Sequence, residues 1–194
     1  MNDDLSIRRL VFAAMMAAMI SVGAYLAIPI GPVPIVLQNL FVLVAGLLLG
    51  SRWAAISVGV YLLAGACGLP VFAGGTGGIG RLIGPTGGYL FGFLGAAYIV
   101  GLIAERASGR FFLEVSAMVV GSFVIYAFGV AWLKHVTGMT LSQTLAVGCY
   151  PFIPGDAIKM AVALPIARTV RPLIQGYSPN STGRWLSKTG NTDN

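Results

Sequence analysis

An aspartate and a lysine three residues apart, Asp156 and Lys159, stand inside the last long apolar run of this 194-residue chain. An ionisable group at mid-span costs roughly 2.5–3.5 kcal/mol on insertion scales, so such groups face a cavity or one another. Positions three apart share a helix face, and the two side chains therefore project toward the same space. The run opens Pro151-Phe152-Ile153-Pro154-Gly155. Proline is tolerated at a helix start, where an N–H would be unpaired anyway, and glycine leaves room for close approach. The chemistry on offer is recognition of a small polar solute by a carboxylate and an ammonium at a helix N-terminus inside a pocket. A purely structural ion pair that offsets its own burial is the alternative.

Two further stretches carry polar chemistry. Gln38 and Asn39 begin another apolar run, and an amide in such a run needs partners, either a neighbouring helix or a ligand. Residues 72–89 are rich in glycine and hold one cation, Arg81. So much glycine offers backbone that a small polar molecule can approach closely, and irregular backbone near membrane depth is allowed where it lines a cavity. A lone arginine there implies an anionic group to meet; a plain external loop is the bland reading. Gly75 to Gly80 matches G-x-G-x-x-G, but the dinucleotide fingerprint needs a preceding strand and an apolar span stands there instead. No phosphate-binding G-x-x-x-x-G-K-[ST] occurs, so the chain itself cradles no ATP.

Enzyme chemistry finds little support. There is no H-E-x-x-H, no G-x-S-x-G, no pair of catalytic carboxylates and no Cys/His set. The single His135 reads as an interfacial residue and no metal site is expected. Cys67 and Cys149 lack C-x-x-C spacing and read as small packing residues.

The elements that must position these groups follow from composition. The chain is 57% hydrophobic and only 9% charged, against about 25% charged in soluble domains, which marks an all-α integral membrane protein. Spans need about 20 apolar residues, and six are expected, at about 10–28, 35–50, 54–69, 85–104, 111–133 and 151–170. The first is too long for a signal-peptide core of about 7–15 residues, so it is read as a retained helix. Ala13, Ala14, Ala17 and Ala18 give it two small-xxx-small pairs that admit a neighbouring helix. Pro29, Pro32 and Pro34 forbid helix between the first two spans. Gly84, Gly88 and Gly92 give the fourth a close-packing face.

Residues 172–194 read as a mobile cytoplasmic tail, where the sequon Asn180-Ser181-Thr182 carries little weight. The net charge of +6 belongs to topology more than to nucleic acid. Arg8, Arg9, Arg52, Arg106, Arg110, Arg168, Arg171, Arg184 and Lys188 fall on one side of a six-span chain; Arg81 and Lys134 fall on the other. By the positive-inside rule both termini are cytoplasmic. Asp156 then lies about 7–8 Å below the outer face, beneath the glycine-rich stretch, and the pocket opens outward.

The segments Val33-Pro34-Ile35-Val36-Leu37-Gln38-Asn39, Gly68 to Gly78, Gly84-Pro85-Thr86-Gly87-Gly88-Tyr89 and Pro151 to Lys159 together resemble the BioY family. These are the biotin-binding S components of energy-coupling factor (ECF) transporters. The resemblance spans about residues 8–171. It implies a substrate-capture subunit in the cell membrane that binds biotin from outside. It also implies a transmembrane coupling protein and two cytoplasmic ATPases as partners, with ATP used by the latter and no cofactor on this chain. Ala13, Ala14, Ala17 and Ala18 resemble the family's docking motif for the coupling protein. Biotin offers a ureido ring, an apolar thiophane and a valerate carboxylate. Asp156 is expected to accept from the ureido N–H groups, a charge-assisted bond, and Lys159 to support Asp156 and donate to the ureido oxygen. Gly75, Thr76, Gly77 and Gly78 would close over the ligand, with Tyr89 packing on it and Gln38 beside it. Where some relatives have Asn, this chain has Thr76, and where they have Arg after the tyrosine, it has Leu90. Arg81 is therefore the cation proposed for the carboxylate. A solitary carrier, or an S component for another vitamin, is the alternative.

Overall fold

The computed structural model describes residues 2–28, 32–107 and 109–175. The sequon, Arg184, Lys188 and most of the expected tail lie outside them. Among the described residues, seven helices and one two-stranded ribbon follow in order: α1 (Asn2–Tyr25), β1 (Ala27–Ile28), β2 (Ile35–Val36), α2 (Gln38–Ala66), α3 (Ile79–Ile83), α4 (Gly87–Ala107), α5 (Phe111–Thr137), α6 (Leu141–Gly148) and α7 (Ile153–Gln175). Four of them, Ile7–Tyr25 within α1, α2, α4 and α5, are long and apolar enough to cross a membrane. Helix α7 is comparably long but carries Asp156, Lys159, Arg168 and Arg171, which lower its apolar character.

The expected second and third spans form one element, α2, broken at Gly50. There φ is +77° and ψ 177°, a left-handed conformation that glycine adopts without Cβ strain. A straight helix would hold Gln38 and Gly65 about 40 Å apart at 1.5 Å per residue. Instead Phe72, which touches both Tyr61 and the space beside Gly65, shares a cavity wall with Gln38. The chain thus turns back at Gly50, and its arms 38–49 and 51–66 return to one end of the molecule. The freed Ser51 N–H donates to Glu105 Oε1 of α4 at 2.7 Å, and Ser51 Oγ to the same oxygen at 3.0 Å, so a distant carboxylate caps the second arm.

Helix α2 is the hub, packing against α1, α4 and α7, while α4 packs on α5. The α4–α5 contact is close because Gly88 abuts Trp132 and Phe128, and Gly92 abuts Ile125. The Gly84 carbonyl accepts from Trp132 Nε1 at 3.0 Å. The proline-rich link is a small antiparallel ribbon, Ala27 opposite Val36 and Ile28 opposite Ile35, so the second span starts at Gln38 rather than at residue 35. Two short helices also stand between the longer ones. Helix α3 lies in the glycine-rich segment, and α6 is started by a Thr140/Gln143 capping box.

Candidate functional site

Beneath the glycine-rich segment lies a hollow of ≈ 440 Å³, counting its open mouth. Its wall is mainly apolar: Val33, Pro34 and Val36 from the link and ribbon, Phe72 and Ala73 from the turn, Leu90 and Phe93 from α4. Gln38, Thr76, Arg81, Thr86 and Tyr89 bring polar groups to it. A mostly apolar cleft with a few directed polar groups is the usual form of a small-molecule site.

The turn over the hollow is tight. Phe72 pairs with Thr76, N to O at 2.8 Å, and Thr76 Oγ1 donates to the Ala73 carbonyl at 3.0 Å. Gly74 and Gly75 supply the positive φ angles, 72° and 70°, that the turn requires. Its N–H groups are largely used: Gly74 donates to Ala24, Gly75 to Phe72 and Gly78 to Gly65. The expectation of glycine backbone open to a solute is corrected here, because these donors fold the segment onto itself and onto α1 and α2. Gly75, Gly77 and Gly78 shape the roof, whereas Thr76 faces the hollow. Tyr89 is spoken for at its hydroxyl, which donates to the Gly148 carbonyl at 2.6 Å, while its ring fills the space beside Gly129. Arg81 is exposed at the mouth, and no ion pair engages it among the described residues.

Asp156 and Lys159 are buried, at 6% and 8% exposure, and bonded to one another at 2.9 Å. They do not line the hollow in this structure, contrary to the expectation that both would. The Asp156 carboxylate also accepts from Asn39 Nδ2 at 2.6 Å and from the Tyr126 hydroxyl. Asn39 follows the wall residue Gln38, so the ion pair is tied to the first turn of α2. Tyr126 was not singled out from sequence; a phenol in the middle of an apolar helix was the available signal. Three buried atoms near this junction, Gln38 Nε2, Asn39 Oδ1 and Tyr61 Oη, have no hydrogen-bond partner within 3.5 Å, although Tyr61 and Gln38 stand close enough to interact with one another. Each such atom costs about 1–3 kcal/mol, which is sustainable where a ligand fills the need.

The four alanines of α1 divide. Ala13 and Ala17 are buried, whereas Ala14 and Ala18 lie on the outer face with Val11, Met15 and Val22. The first pair packs within the bundle, where α1 lies on α2, and the second pair is left outward.

A model of the BioY family matches residues 1–176. The chain is similar to the biotin transporter BioY of Thermotoga maritima, 42% identical over 86% of this chain and 97% of that one. It is also similar to that of Rhizobium etli, 41% identical over 86% and 94%. Its fold matches the crystal structure of the S-component for biotin from an ECF-type ABC transporter, with a TM-score of 0.82 and 34% identity over 88% and 94% of the two chains.

Proposed function

The chain belongs to the BioY family, and from that membership we propose that it captures biotin at the outer face of the cell membrane and delivers it inward with an ECF coupling module. It is a transport protein, not an enzyme. The observation that carries the reading is the apolar hollow under the glycine-rich turn, with Gln38 in its wall and, at its mouth, Arg81, which no ion pair engages among the described residues. Counting the arms of α2 separately gives six passes. The positive-inside rule then sets both ends of the membrane domain in the cytoplasm, since Arg8, Arg52, Arg106, Arg110, Arg168 and Arg171 share one side.

In this reading the valerate carboxylate meets Arg81, the thiophane lies against Phe72, Leu90 and Phe93, and the ureido head reaches toward Asp156 and Lys159. Thr76 and Gly75 to Gly78 roof the ligand, Tyr89 packs from the side and Gln38 flanks the head. Asp156 has two carboxylate oxygens with about four acceptor positions and three donors on them, so one ureido N–H can still be accepted. Ala14 and Ala18 offer the close-approach face for the coupling protein, and two cytoplasmic ATPases supply the ATP chemistry that this sequence lacks.

The test is equilibrium binding of labelled biotin to the purified chain in nanodiscs, with thiamin and riboflavin as competitors. Saturable binding displaced by biotin alone is expected; no saturable binding, or equal displacement by the other vitamins, ends the reading. Copurification of a membrane coupling protein and two ATPases checks the partners.

A further inference from the structure

The turn that covers the hollow is fastened to two different helices. Its base is held on α2, where the Gly78 N–H donates to the Gly65 carbonyl at 2.7 Å and the buried Phe72 ring fills the space beside Gly65. Its tip, Gly74 and Gly75, reaches α1 instead. The Gly74 N–H donates to the Ala24 carbonyl at 3.3 Å, long for an amide bond, and a Cβ on Gly75 would stand 3.2 Å from the Tyr25 ring. Tyr25 is the last residue of α1, and its hydroxyl donates to the carbonyl of Pro70, just ahead of the turn. One side chain therefore spans from Pro70 to Gly75, while Phe72, Ala73 and Thr76 line the hollow beneath.

Core packing does not account for Tyr25, which is 54% exposed. A tyrosine at a helix end is otherwise an interfacial anchor. The hydroxyl of an anchor meets water or headgroups, however, and this one ends on a backbone carbonyl 45 positions away. We propose that Tyr25 is a positioning residue for ligand exchange: by tying Pro70 and the tip of the turn to α1, it keeps the cover seated over the hollow and sets how fast biotin enters and leaves. The proposal rests on the biotin reading. Neither Tyr25 nor Pro70 lines the hollow, so a ligand in it gives this bond no new partner. The bond opposes entry and exit alike, and a contact of equal strength in two states does not shift the balance between them. Losing it should speed both directions and leave affinity nearly unchanged.

The test follows radiolabelled biotin on the full chain in nanodiscs, association by mixing and dissociation by a chase with unlabelled biotin. Tyr25→Phe keeps the ring beside Gly75 and drops the hydroxyl. It should raise both rate constants about two- to tenfold, the range of one neutral hydrogen bond, and move Kd less than about twofold. Tyr25→Trp keeps an interfacial aromatic, but its only donor lies nearer the backbone than the phenol oxygen, so it should exchange biotin as fast as Tyr25→Phe. Ligand-free unfolding temperatures should stay close to wild type, as for a surface substitution; a large drop in both variants makes the contact structural and overturns the proposal. If wild type binds biotin and Tyr25→Phe exchanges it at wild-type rates, the latch is overturned while the transport reading stands. Wild-type rates in Tyr25→Trp alone would make the residue a membrane anchor and overturn it too. Faster dissociation with unchanged association would place the hydroxyl's effect in the liganded state only, against the proposal. Failure of wild type to bind biotin removes the transport reading, and the role of Tyr25 with it.

Discussion

Helix α7 meets a buried carboxylate near each end, and the two are handled in opposite ways. Near its start, Asp156 is held by Lys159, Asn39 and Tyr126, beside a hollow and three unpaired polar atoms. Near its end, Glu114 of α5, 0% exposed, is gripped by Arg168 at 2.9 Å and by Arg171. Those arginines also reach the Gly109 and Leu47 carbonyls, at 3.0 and 3.1 Å, and Arg8 caps the Ile174 carbonyl at 2.7 Å. Among the described residues, no buried side-chain nitrogen or oxygen at this end is left without a partner. A closed network ties α1, α2, α5 and α7 together, whereas an open one leaves bonding capacity for a guest. A buried charge is thus no sign of a ligand site on its own; unmet hydrogen bonding around it is the better sign.

The contrast can be broken most readily at the closed end. Glu114→Gln leaves two arginines without their shared carboxylate, and should cost about 3 kcal/mol of stability in thermal unfolding while shifting biotin affinity less than about threefold. A large affinity loss without destabilisation would erase the distinction. At the open end, Asp156→Asn should do the reverse: biotin binding falls more than tenfold, about 1.4 kcal/mol, with a smaller stability loss than Glu114→Gln. Unchanged affinity, read by calorimetry, would remove Asp156 from the site.

Glycine substitutions sharpen the same comparison. An alanine at Gly50 would be strained at φ +77° and would press its Cβ to 2.5 Å from Glu105 Oε1, so Gly50→Ala should cost about 2–3 kcal/mol. Gly74 has φ +72° but open space around it, and Gly74→Ala should cost about 1–2 kcal/mol. Equal melting temperatures would deny the tight packing at the Gly50 turn. The smallest effect concerns thiols. Burial, and then the nearby Asp156 carboxylate, push the Cys149 thiol upward. Its thiolate fraction at a given pH is thereby lowered, so maleimide labelling should be slower at Cys149 than at exposed Cys67. The Cys149 rate should keep rising with pH above the ordinary thiol range; a plateau at ordinary thiol pH would contradict it.

Much of this was legible in order along the chain. Hydropathy marked the apolar runs that became α1, α2, α4 and α5, because each helix is long and its composition local. The Asp156–Lys159 bond was readable because i,i+3 geometry needs no tertiary contact. Glu114 has no such neighbour three residues away; its partners lie 54 and 57 positions on, and nothing local names them. Of the four alanines, spacing supplied a motif, while only packing chose Ala14 and Ala18 as the outward pair.

Alone, the amino-acid order determined a polytopic helical protein, an ion pair in its last long helix and a glycine-rich cover, since period, hydropathy and turn chemistry act over a few residues. Tertiary structure decided that α2 folds back at Gly50, that Asn39 crosses 117 positions to reach Asp156, and which polar atoms are left waiting. Those outcomes depend on which surfaces meet in space, and the balance of filled and unfilled hydrogen bonds exists only once they have met.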